Sequence, residues 1–339
     1  MIQTPQRILI SRTDNLGDVV LTLPLAKWLK QHWPQVTIMF LCRPYAAAIV
    51  QACPDVDDVV TWSADQSDQQ VCQSLQALQV DMILHVFPNR QIARCARRIK
   101  IAQRVGTRRR WYHWLTCNHR PNFSRAHSAA HEAQLNFKLL AALGLAPVPS
   151  MESLQQATYL EPSAEQQASI AHWIDPQRFT LLLHPLSNGH ARDWPLSHYI
   201  ALYQRLDPAQ YQVLLNGVPA EQARMAELAE KIPAAQHLFD LTLAEKVALF
   251  AQCDGMVVGS TGPLHIAAAL GIPVLGLFPP KKLINPQRWG PIGPRARYLV
   301  HSHICEAACT QNECACMQAL SVNQVLSIIT QWQHEGSNE

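Results

Sequence analysis

Short apolar strands alternate with helical segments along this chain, and the alternation occurs in each half. Residues 8–11 have the composition of a buried strand, and residues 18–33 after them carry apolar side chains at helical spacing. In the second half, strands at 179–184 and 212–215 flank another helix at 196–206. Alternation of this kind predicts an α/β fold in which parallel sheets are covered by helices on both faces.

A chain of 339 residues is long enough for two such domains. We predict an N-terminal domain over 1–160 and a C-terminal domain over 161–339, with the Pro-, Ser- and Gln-rich stretch at 147–175 as the linker. With 48% hydrophobic and 16% charged residues, the chain is not intrinsically disordered. It has no run of about 18 apolar residues and no signal-peptide pattern, which predicts a cytoplasmic protein without a membrane-spanning helix.

The charges are unevenly distributed. Residues 82–131 contain eleven Lys and Arg and no Asp or Glu, while the rest of the chain has 17 basic and 25 acidic residues. Trp111, Tyr112 and Trp114 follow directly after three arginines. A basic segment with interfacial aromatic residues predicts an anionic, amphipathic partner such as a membrane surface. A solvated basic helix without a partner is the alternative, and the absence of a known nucleic-acid module argues against nucleic acid.

The loop after the first strand ends in Gly17-Asp18, at the position where parallel sheets bind their ligands. Gly17 permits a tight turn, and the helix dipole favours a carboxylate at the start of the next helix. Two interpretations of Asp18 are open: a helix-capping residue, and a general base that takes a proton from a hydroxyl. The loop contains neither the G-x-G-x-x-G pattern of nicotinamide enzymes nor the G-x-x-x-x-G-K pattern of P-loop kinases, which argues against both of these classes.

Residues 259–265 (GSTGPLH) predict an anion-binding helix start. Either Ser260 or Thr261 can cap a helix whose first turn contains Pro263. The N–H groups of Thr261 and Gly262 then suit a diphosphate. An ordinary capped helix is the alternative.

Three further residues are candidates for the same ligand. His265 lies in that first helical turn, where it either bonds a phosphate or packs. Arg192 is suited to neutralising a diphosphate, although a surface arginine is an equal alternative. Glu221 follows another strand end and is suited to a ribose hydroxyl, with a first-turn helix carboxylate as the alternative.

A cysteine cluster near the C-terminus has the spacing C-x3-C-x4-C-x-C and lies beside two histidines. Its cysteines are Cys305, Cys309, Cys314 and Cys316. Thiolates and imidazoles bind zinc, but the cluster lacks the C-x2-C pair that is typical of zinc sites. We therefore favour reduced or locally paired thiols and predict neither a metal nor a cofactor.

Taken together and in this order, the motifs resemble those of glycosyltransferase family 9, the bacterial lipopolysaccharide heptosyltransferases, and the resemblance covers nearly the whole chain. The segments that carry it are 8–12 with 17–24 (ILISR and GDVVLTLP), 131–144 (HEAQLNFKLLAALG), 192–195 (RDWP), 260–265 (STGPLH) and 288–291 (RWGP).

The resemblance implies the GT-B fold, with two Rossmann-like domains facing each other across a cleft. It implies an N-terminal domain that binds the acceptor, a C-terminal domain that binds a nucleotide sugar, usually ADP-heptose, and Asp18 as the catalytic base. The implied donor-binding residues are Arg192, Glu221, Ser260, Thr261, Gly262, Pro263 and His265. The basic segment and the Asp18 loop would bind the phosphates and acidic sugars of a lipid A–core acceptor, through Gly17, Arg97, Arg98, Arg108, Arg109 and Arg110.

Two positions depart from the family pattern. Arg192 replaces the Lys that is common before x-Trp-Pro, which keeps the charge but changes its geometry. Ser260 replaces an Asp before Thr-Gly that is expected near the donor sugar. A nucleotide sugar other than ADP-heptose therefore stays open.

We accordingly expect an inverting, metal-independent glycosyltransferase that acts on the inner core of lipopolysaccharide. We expect it to be cytoplasmic and peripheral on the inner face of the inner membrane. Two alternatives remain: a nucleotide-sugar epimerase of the same architecture, and a non-catalytic protein that binds anionic lipid. The diphosphate-binding pattern favours an enzyme, since a surface binder needs no such site.

Overall fold

The computed structural model describes residues 4–145, 147–187, 191–281, 284–302 and 314–336. The chain divides into two compact units, Met1–Leu154 and Gln155–Glu339. Within the described residues, the first unit contains a five-stranded parallel sheet and the second a six-stranded one. These sheets confirm the predicted α/β fold. No described helix combines the length and the apolar character needed to cross a membrane.

The first unit has strand order β3-β2-β1-β4-β5. Its strands are β1 (Arg7–Ser11), β2 (Thr37–Cys42), β3 (Asp58–Thr61), β4 (Met82–His85) and β5 (Gln103–Val105). Its helices are α1 (Leu16–Val20), α2 (Leu23–His32), α3 (Ala47–Gln51), α4 (Asp68–Ala77), α5 (Arg90–Arg98), α6 (Trp111–Thr116) and α7 (Glu132–Phe137), and α8 (Met151–Gln155) crosses the division. In register, Ile8 lies between Ile38 of β2 and Met82 of β4, and all three side chains are fully buried.

The segment predicted as one helix over 18–33 forms two helices. Pro24 occupies one of the first two positions of α2, where its missing N–H costs no helical hydrogen bond. Farther along the unit, α4 and α5 pack together through a disulfide between Cys72 and Cys95, within an apolar cluster that includes Leu9.

The second unit has strand order β11-β10-β9-β6-β7-β8. Its strands are β6 (Phe179–His184), β7 (Tyr211–Asn216), β8 (Gln236–Leu238), β9 (Gly255–Gly259), β10 (Val274–Phe278) and β11 (Ala296–Val300). Its helices are α9 (Ala164–Ile170), α10 (Leu196–Tyr203), α11 (Ala226–Lys231), α12 (Leu243–Phe250), α13 (Gly262–Leu270), α14 (Pro286–Trp289), α15 (Ala315–Gln318) and α16 (Val322–Gly336). Short 3₁₀ turns supplement both units, including Pro219–Met225 before α11.

The division between the two units, after Leu154, falls within the predicted linker at 147–175. That stretch contains α8 and α9, and α9 begins with a capping box formed by Ser163 and Gln166. The backbone carbonyl of Gln167 accepts a hydrogen bond of 2.7 Å from Gln252. The polar composition arises because α9 exposes most of its surface and buries only one edge, at Ile170.

Each sheet has a switch point, where the strands stop being added on one side of the first strand and continue on the other side. In the first unit, β1 leads to β2 and β3 on one side, and β4 leads to β5 on the other. In the second unit, β6 and β9 are the corresponding neighbours. Ligands of open parallel sheets bind at the carboxyl ends of two such strands, because the loops that follow them diverge and leave a crevice.

Candidate active site

A buried cluster of charged side chains lies at the carboxyl end of β1. Arg12, which is 3% exposed, contacts three carboxylates. Its Nε donates to Oδ1 of Asp14 over 2.7 Å, its Nη2 pairs with Asp18, and its Nη1 lies 3.5 Å from Oε1 of Glu132. One guanidinium therefore holds three acidic groups in place at the point where the first sheet reverses.

A second layer fixes this cluster from α7. Arg125 pairs with Glu132 and donates to Oδ1 of Asn136 over 3.0 Å. Asn136 in turn donates to the carbonyl oxygen of Leu21 over 3.0 Å and to Oγ1 of Thr22 over 3.2 Å. These bonds tie α7 to the junction between α1 and α2, so the Asp18 helix has a fixed position.

Burial, helped by the negative charges of Asp14 and Glu132, raises the pKa of Asp18 to about 6 against the opposing charge of Arg12. Burial also raises the pKa of Asp14. Asp18 is 9% exposed and lies in the first turn of α1. Within the described residues α1 has no side-chain cap, so Asp18 engages Arg12 rather than capping the helix. A carboxylate with this pKa is largely ionised at neutral pH and is a stronger base than an ordinary aspartate.

In the second unit, α13 begins directly after β9. Thr261 is its N-cap residue in extended backbone conformation, and Pro263 lies in the first turn. Among the described side chains none caps this turn, because Oγ1 of Thr261 lies 3.5 Å from the carbonyl oxygen of Gly259 instead. The backbone N–H of Thr261 donates to the carbonyl oxygen of Gly259 over 2.8 Å, so the N–H of Gly262 is the donor that this positive helix end offers to an anion.

Gly259 leaves space beside this helix end. It is buried at the last position of β9, yet no described atom lies within 4 Å of where a Cβ would be. Ser260 and Gly262 are partly exposed next to it, and His265 is 6% exposed one turn into α13. The protein's own packing thus does not require glycine at this position.

The RDWP motif anchors the loop after β6. Asp193 accepts a hydrogen bond of 2.6 Å from Ser187 and pairs with Arg224 at 3.2 Å. Trp194 is 1% exposed and donates from Nε1 to the carbonyl oxygen of Leu320 over 2.8 Å. Arg192 is half-buried beside these anchors. Two of the motif's residues are therefore structural, and Arg192 is its cation.

Glu221 lies just beyond the end of β7. It is 4% exposed, and its Oε2 accepts a hydrogen bond of 3.0 Å from the backbone N–H of Val218. Glu221 therefore caps the start of the 3₁₀ turn Pro219–Met225, which is the alternative that the sequence analysis gave for it. Burial lowers the pKa of Lys246, and the nearby negative charge of Glu221 partly offsets this lowering.

Three polar residues near Glu221 were not identified from the sequence. Lys246 is buried and donates from Nζ to the carbonyl oxygen of Gly217 over 2.6 Å. Asn216 donates to Nδ1 of His184 over 2.9 Å, and burial lowers the pKa of His184 to about 4, which keeps its ring neutral. The positions of His184 and Asn216 at the ends of β6 and β7 were the available signal.

Arg12, Arg125, Glu132 and Asn136 were also missed as site residues. Arg12 follows a buried strand directly, which marks an unusual place for a charge. Glu132 and Asn136 lie in the HEAQLNF segment, which contributed to the resemblance without any assigned role.

The structure distributes the predicted residues over four places. Gly17 adjoins Asp18 in α1, while the predicted donor residues follow β6, β7 and β9 of the second unit. Arg108, Arg109 and Arg110 follow β5. Arg97 and Arg98 lie in the last turn of α5, which runs from the carboxyl end of β4 back toward the start of β5. They are therefore at the opposite edge of the sheet from Asp18.

Two of the four clustered cysteines, Cys305 and Cys309, lie outside the described residues. Cys314 and Cys316 are buried at the start of α15, in the apolar core of the second unit. The part of the chain that the structure describes contains no group of three or more His, Cys, Asp or Glu side chains arranged to hold a metal ion.

Known proteins resemble this chain in sequence and architecture. The model of glycosyltransferase family 9 (heptosyltransferase) matches residues 59–319. One relative, from Haemophilus influenzae, has a name that assigns glycosyl transfer but specifies no sugar. It is 27% identical over 307 residues, which are 87% of this chain and 88% of the relative. A lipopolysaccharide core heptosyltransferase of the same organism is 24% identical over 303 residues, or 85% and 82% of the two chains.

Among solved structures, Escherichia coli ADP-heptose lipopolysaccharide heptosyltransferase II superposes with a TM-score of 0.79 at 20% identity, covering 98% of this chain and 99% of the other. This likeness and the two parallel sheets establish the predicted GT-B fold. The predicted glycosyltransferase activity is also confirmed, because the family model spans most of the chain. The chain therefore belongs to glycosyltransferase family 9, the heptosyltransferase family.

Proposed function

We propose that this protein transfers a sugar, most simply heptose from ADP-heptose, to a hydroxyl group of the lipopolysaccharide inner core. The observation that carries the proposal is the buried cluster at the carboxyl end of β1, where Asp18 has a raised pKa and a fixed position. The names of the Haemophilus influenzae and Escherichia coli relatives support the choice of sugar and acceptor.

Asp18 acts as the general base. One of its carboxylate oxygens takes the proton of the acceptor hydroxyl while the hydroxyl oxygen attacks the anomeric carbon of the donor. The bond from the anomeric carbon to the diphosphate breaks on the opposite face, and its electron pair goes to the diphosphate. The configuration of the anomeric carbon is therefore inverted.

The second unit binds the nucleotide sugar. The diphosphate accepts hydrogen bonds from the backbone N–H of Gly262 and from the hydroxyl of Thr261 at the start of α13, where Gly259 leaves room for it. Arg192 supplies positive charge to the departing diphosphate, so the reaction needs no metal ion for this step. Glu221, next to Lys246 at the end of β7, binds a ribose hydroxyl.

The acceptor binds to the first unit. Gly17 lets the acceptor sugar approach the backbone beside Asp18, and Arg108, Arg109 and Arg110 pair with phosphates or acidic sugars of the lipid A–core molecule. An acceptor of this kind places the protein on the cytoplasmic face of the inner membrane.

Calorimetric titration with ADP, UDP, GDP and dTDP, without added metal, tests the donor site. We expect ADP to bind most tightly, and Arg192→Ala to weaken its binding by about tenfold or more. Arg205→Ala, which removes an exposed arginine elsewhere in the second unit, is the matched control and should bind ADP like the wild type. Selective binding of another nucleotide would exclude ADP-heptose but keep the reaction class.

A transfer assay with ADP-heptose and a deacylated core oligosaccharide then tests the reaction. Donor turnover should require the acceptor, and the product should carry a new glycosidic bond of inverted configuration. Isomerisation of the donor without an acceptor would identify an epimerase and contradict the proposal.

A further inference from the structure

Helix α6 exposes apolar side chains on one face. Trp111, Trp114 and Leu115 have the helical spacing i, i+3, i+4 and are 62%, 49% and 60% exposed, while His113 and Thr116 on the other side are buried. Seven large hydrophobic side chains in the described part of the chain are exposed, and three of them lie on this six-residue helix. An outward apolar stripe of this kind is typical of a surface that binds a partner.

Basic side chains surround that face. Arg90, Arg94, Arg97 and Arg98 of the neighbouring α5 line a pocket of about 350 Å³ together with Trp111 and Tyr112. We call these two helices and the arginines that border them the α5–α6 patch. The loop arginines Arg108, Arg109 and Arg110 and the nearby Arg120 complete its border.

Each of the two tryptophan rings contacts at least one guanidinium group. The guanidinium of Arg90 lies 5.0 Å from the ring centre of Trp111, and those of Arg108 and Arg120 lie 4.8 and 5.2 Å from that of Trp114. These cation–π contacts keep apolar rings and positive charges side by side at the surface. Arg94 forms an exposed ion pair with Asp68, which offsets one positive charge and leaves those of the other arginines.

We propose that the α5–α6 patch docks the protein onto an anionic phospholipid bilayer, with the arginine-lined pocket holding lipid phosphates and the α6 face entering the headgroup region. Tryptophan is favoured at this depth because its ring is apolar and its N–H is polar. The arginines keep their charged ends at the phosphates while their stems cover apolar surface. Residues 82–131, which include the patch, contain no acidic residue, and Asp68 at its border is paired with Arg94.

This inference rests on the proposed function, because the patch would bring the enzyme to the membrane that contains its lipid-linked acceptor. Within the patch, Arg97 and Arg98 are separate from the proposed base, because α5 runs away from the carboxyl edge of the sheet. Arg97 and Arg98, which the sequence assigned to the acceptor, thereby anchor the protein rather than contact the reacting sugar.

Sedimentation of the full chain with vesicles tests the docking. Vesicles of phosphatidylcholine alone are compared with vesicles that also contain phosphatidylglycerol, at low and at high salt. We expect binding only to the anionic vesicles, weakened by salt. Each basic residue at such a surface contributes about fivefold, so Arg90→Gln with Arg94→Gln should weaken binding about 30-fold. Trp111→Ser with Leu115→Ser should weaken it at least about tenfold through lost apolar burial.

Matched controls come from the second unit. Arg205→Gln with Arg297→Gln removes two exposed arginines, and Tyr298→Ser removes a side chain that is 47% exposed. We expect both controls to bind anionic vesicles like the wild type. All variants should keep the circular dichroism spectrum and the unfolding midpoint of the wild type, which verifies that they are folded.

Equal binding to neutral vesicles, or wild-type binding by the α6 variant, would overturn the proposal. If a DNA oligonucleotide also displaced the protein from anionic vesicles while the α6 variant kept its binding, the patch would be a general polyanion-binding surface. The transfer assay with a deacylated acceptor needs no membrane. Its failure in the wild type would therefore contradict the proposed function while leaving the vesicle result unaffected.

Discussion

Replacing Asp18 by Asn separates the catalytic role of this carboxylate from its effect on stability. The side chain keeps its shape but loses its charge and its ability to take a proton. We expect turnover to fall by about 10²- to 10⁴-fold, the usual contribution of a general base. The affinity for ADP should not change, because the proposed donor residues belong to the other unit.

The stability of the variant should move in the opposite direction. Burial raises the pKa of Asp18 from 3.8 to about 6, so folding favours the protonated form. The ionised carboxylate therefore lowers the free energy of unfolding by at most about 3 kcal/mol above pH 6. The Asp18→Asn substitution removes that penalty, which already includes the attraction of Arg12 for the carboxylate. Since Arg12 keeps Asp14 and Glu132, we expect a net gain of about 1 to 2 kcal/mol and a midpoint a few degrees higher.

The pH dependence gives a second check on the same variant. In the wild type, the stabilising effect of the raised pKa is fully present below pH 3.8 and is lost as the pH rises through about 6. The advantage of the Asp18→Asn variant should therefore be largest at about pH 7.5 and small near pH 4. Urea unfolding of both proteins at several pH values measures it.

Asp14→Asn is the matched control, because Asp14 contacts the same arginine at 2.7 Å and its pKa is also raised. It should retain far more turnover than Asp18→Asn. If Asp18→Asn kept turnover within about tenfold of the wild type, Asp18 would not be the base. If the Asp18→Asn variant lost several kcal/mol of stability at neutral pH, the Asp18 carboxylate would be a net stabilising group. The reasoning from its burial would then fail.

Three further predictions concern the base and two glycines. The value of kcat/KM should rise with pH through about 6, and Glu132→Gln should move this limb to lower pH because it removes a negative charge that raises the pKa of Asp18; an unmoved limb would contradict the coupling. Gly259→Ala should weaken ADP binding in calorimetry without loss of thermal stability, since its Cβ meets no described atom within 4 Å; unchanged ADP affinity would place the diphosphate elsewhere. Gly293→Ala should lower the unfolding midpoint markedly, because its Cβ would clash with the backbone oxygen of Ala268; wild-type stability would show that this backbone can move apart.

The periodicity of the chain was sufficient to predict the two α/β units and their parallel sheets. Strand β6 was predicted with its observed bounds, and β1 to within one residue, because buried strands of parallel sheets are short, continuous apolar runs. Strands β5, β8 and β11 were not predicted. The sequences of β8 and β11 are largely exposed, and β5 is three residues long, so none of them carries an apolar run.

The sequence by itself also determined where the candidate site residues lie along the chain, because glycine, capping and proline signals mark loops that follow strands. Only the tertiary structure decided which side chains meet. Arg12 and Glu132 are 120 positions apart, yet both contact the cluster around Asp18. Conversely, Arg97 and Arg98 are separated in space from the loop that contains Asp18, although the charge pattern grouped them with the acceptor residues. The order of strands in a sheet and the direction of its helices fix these distances, and neither is encoded in local composition.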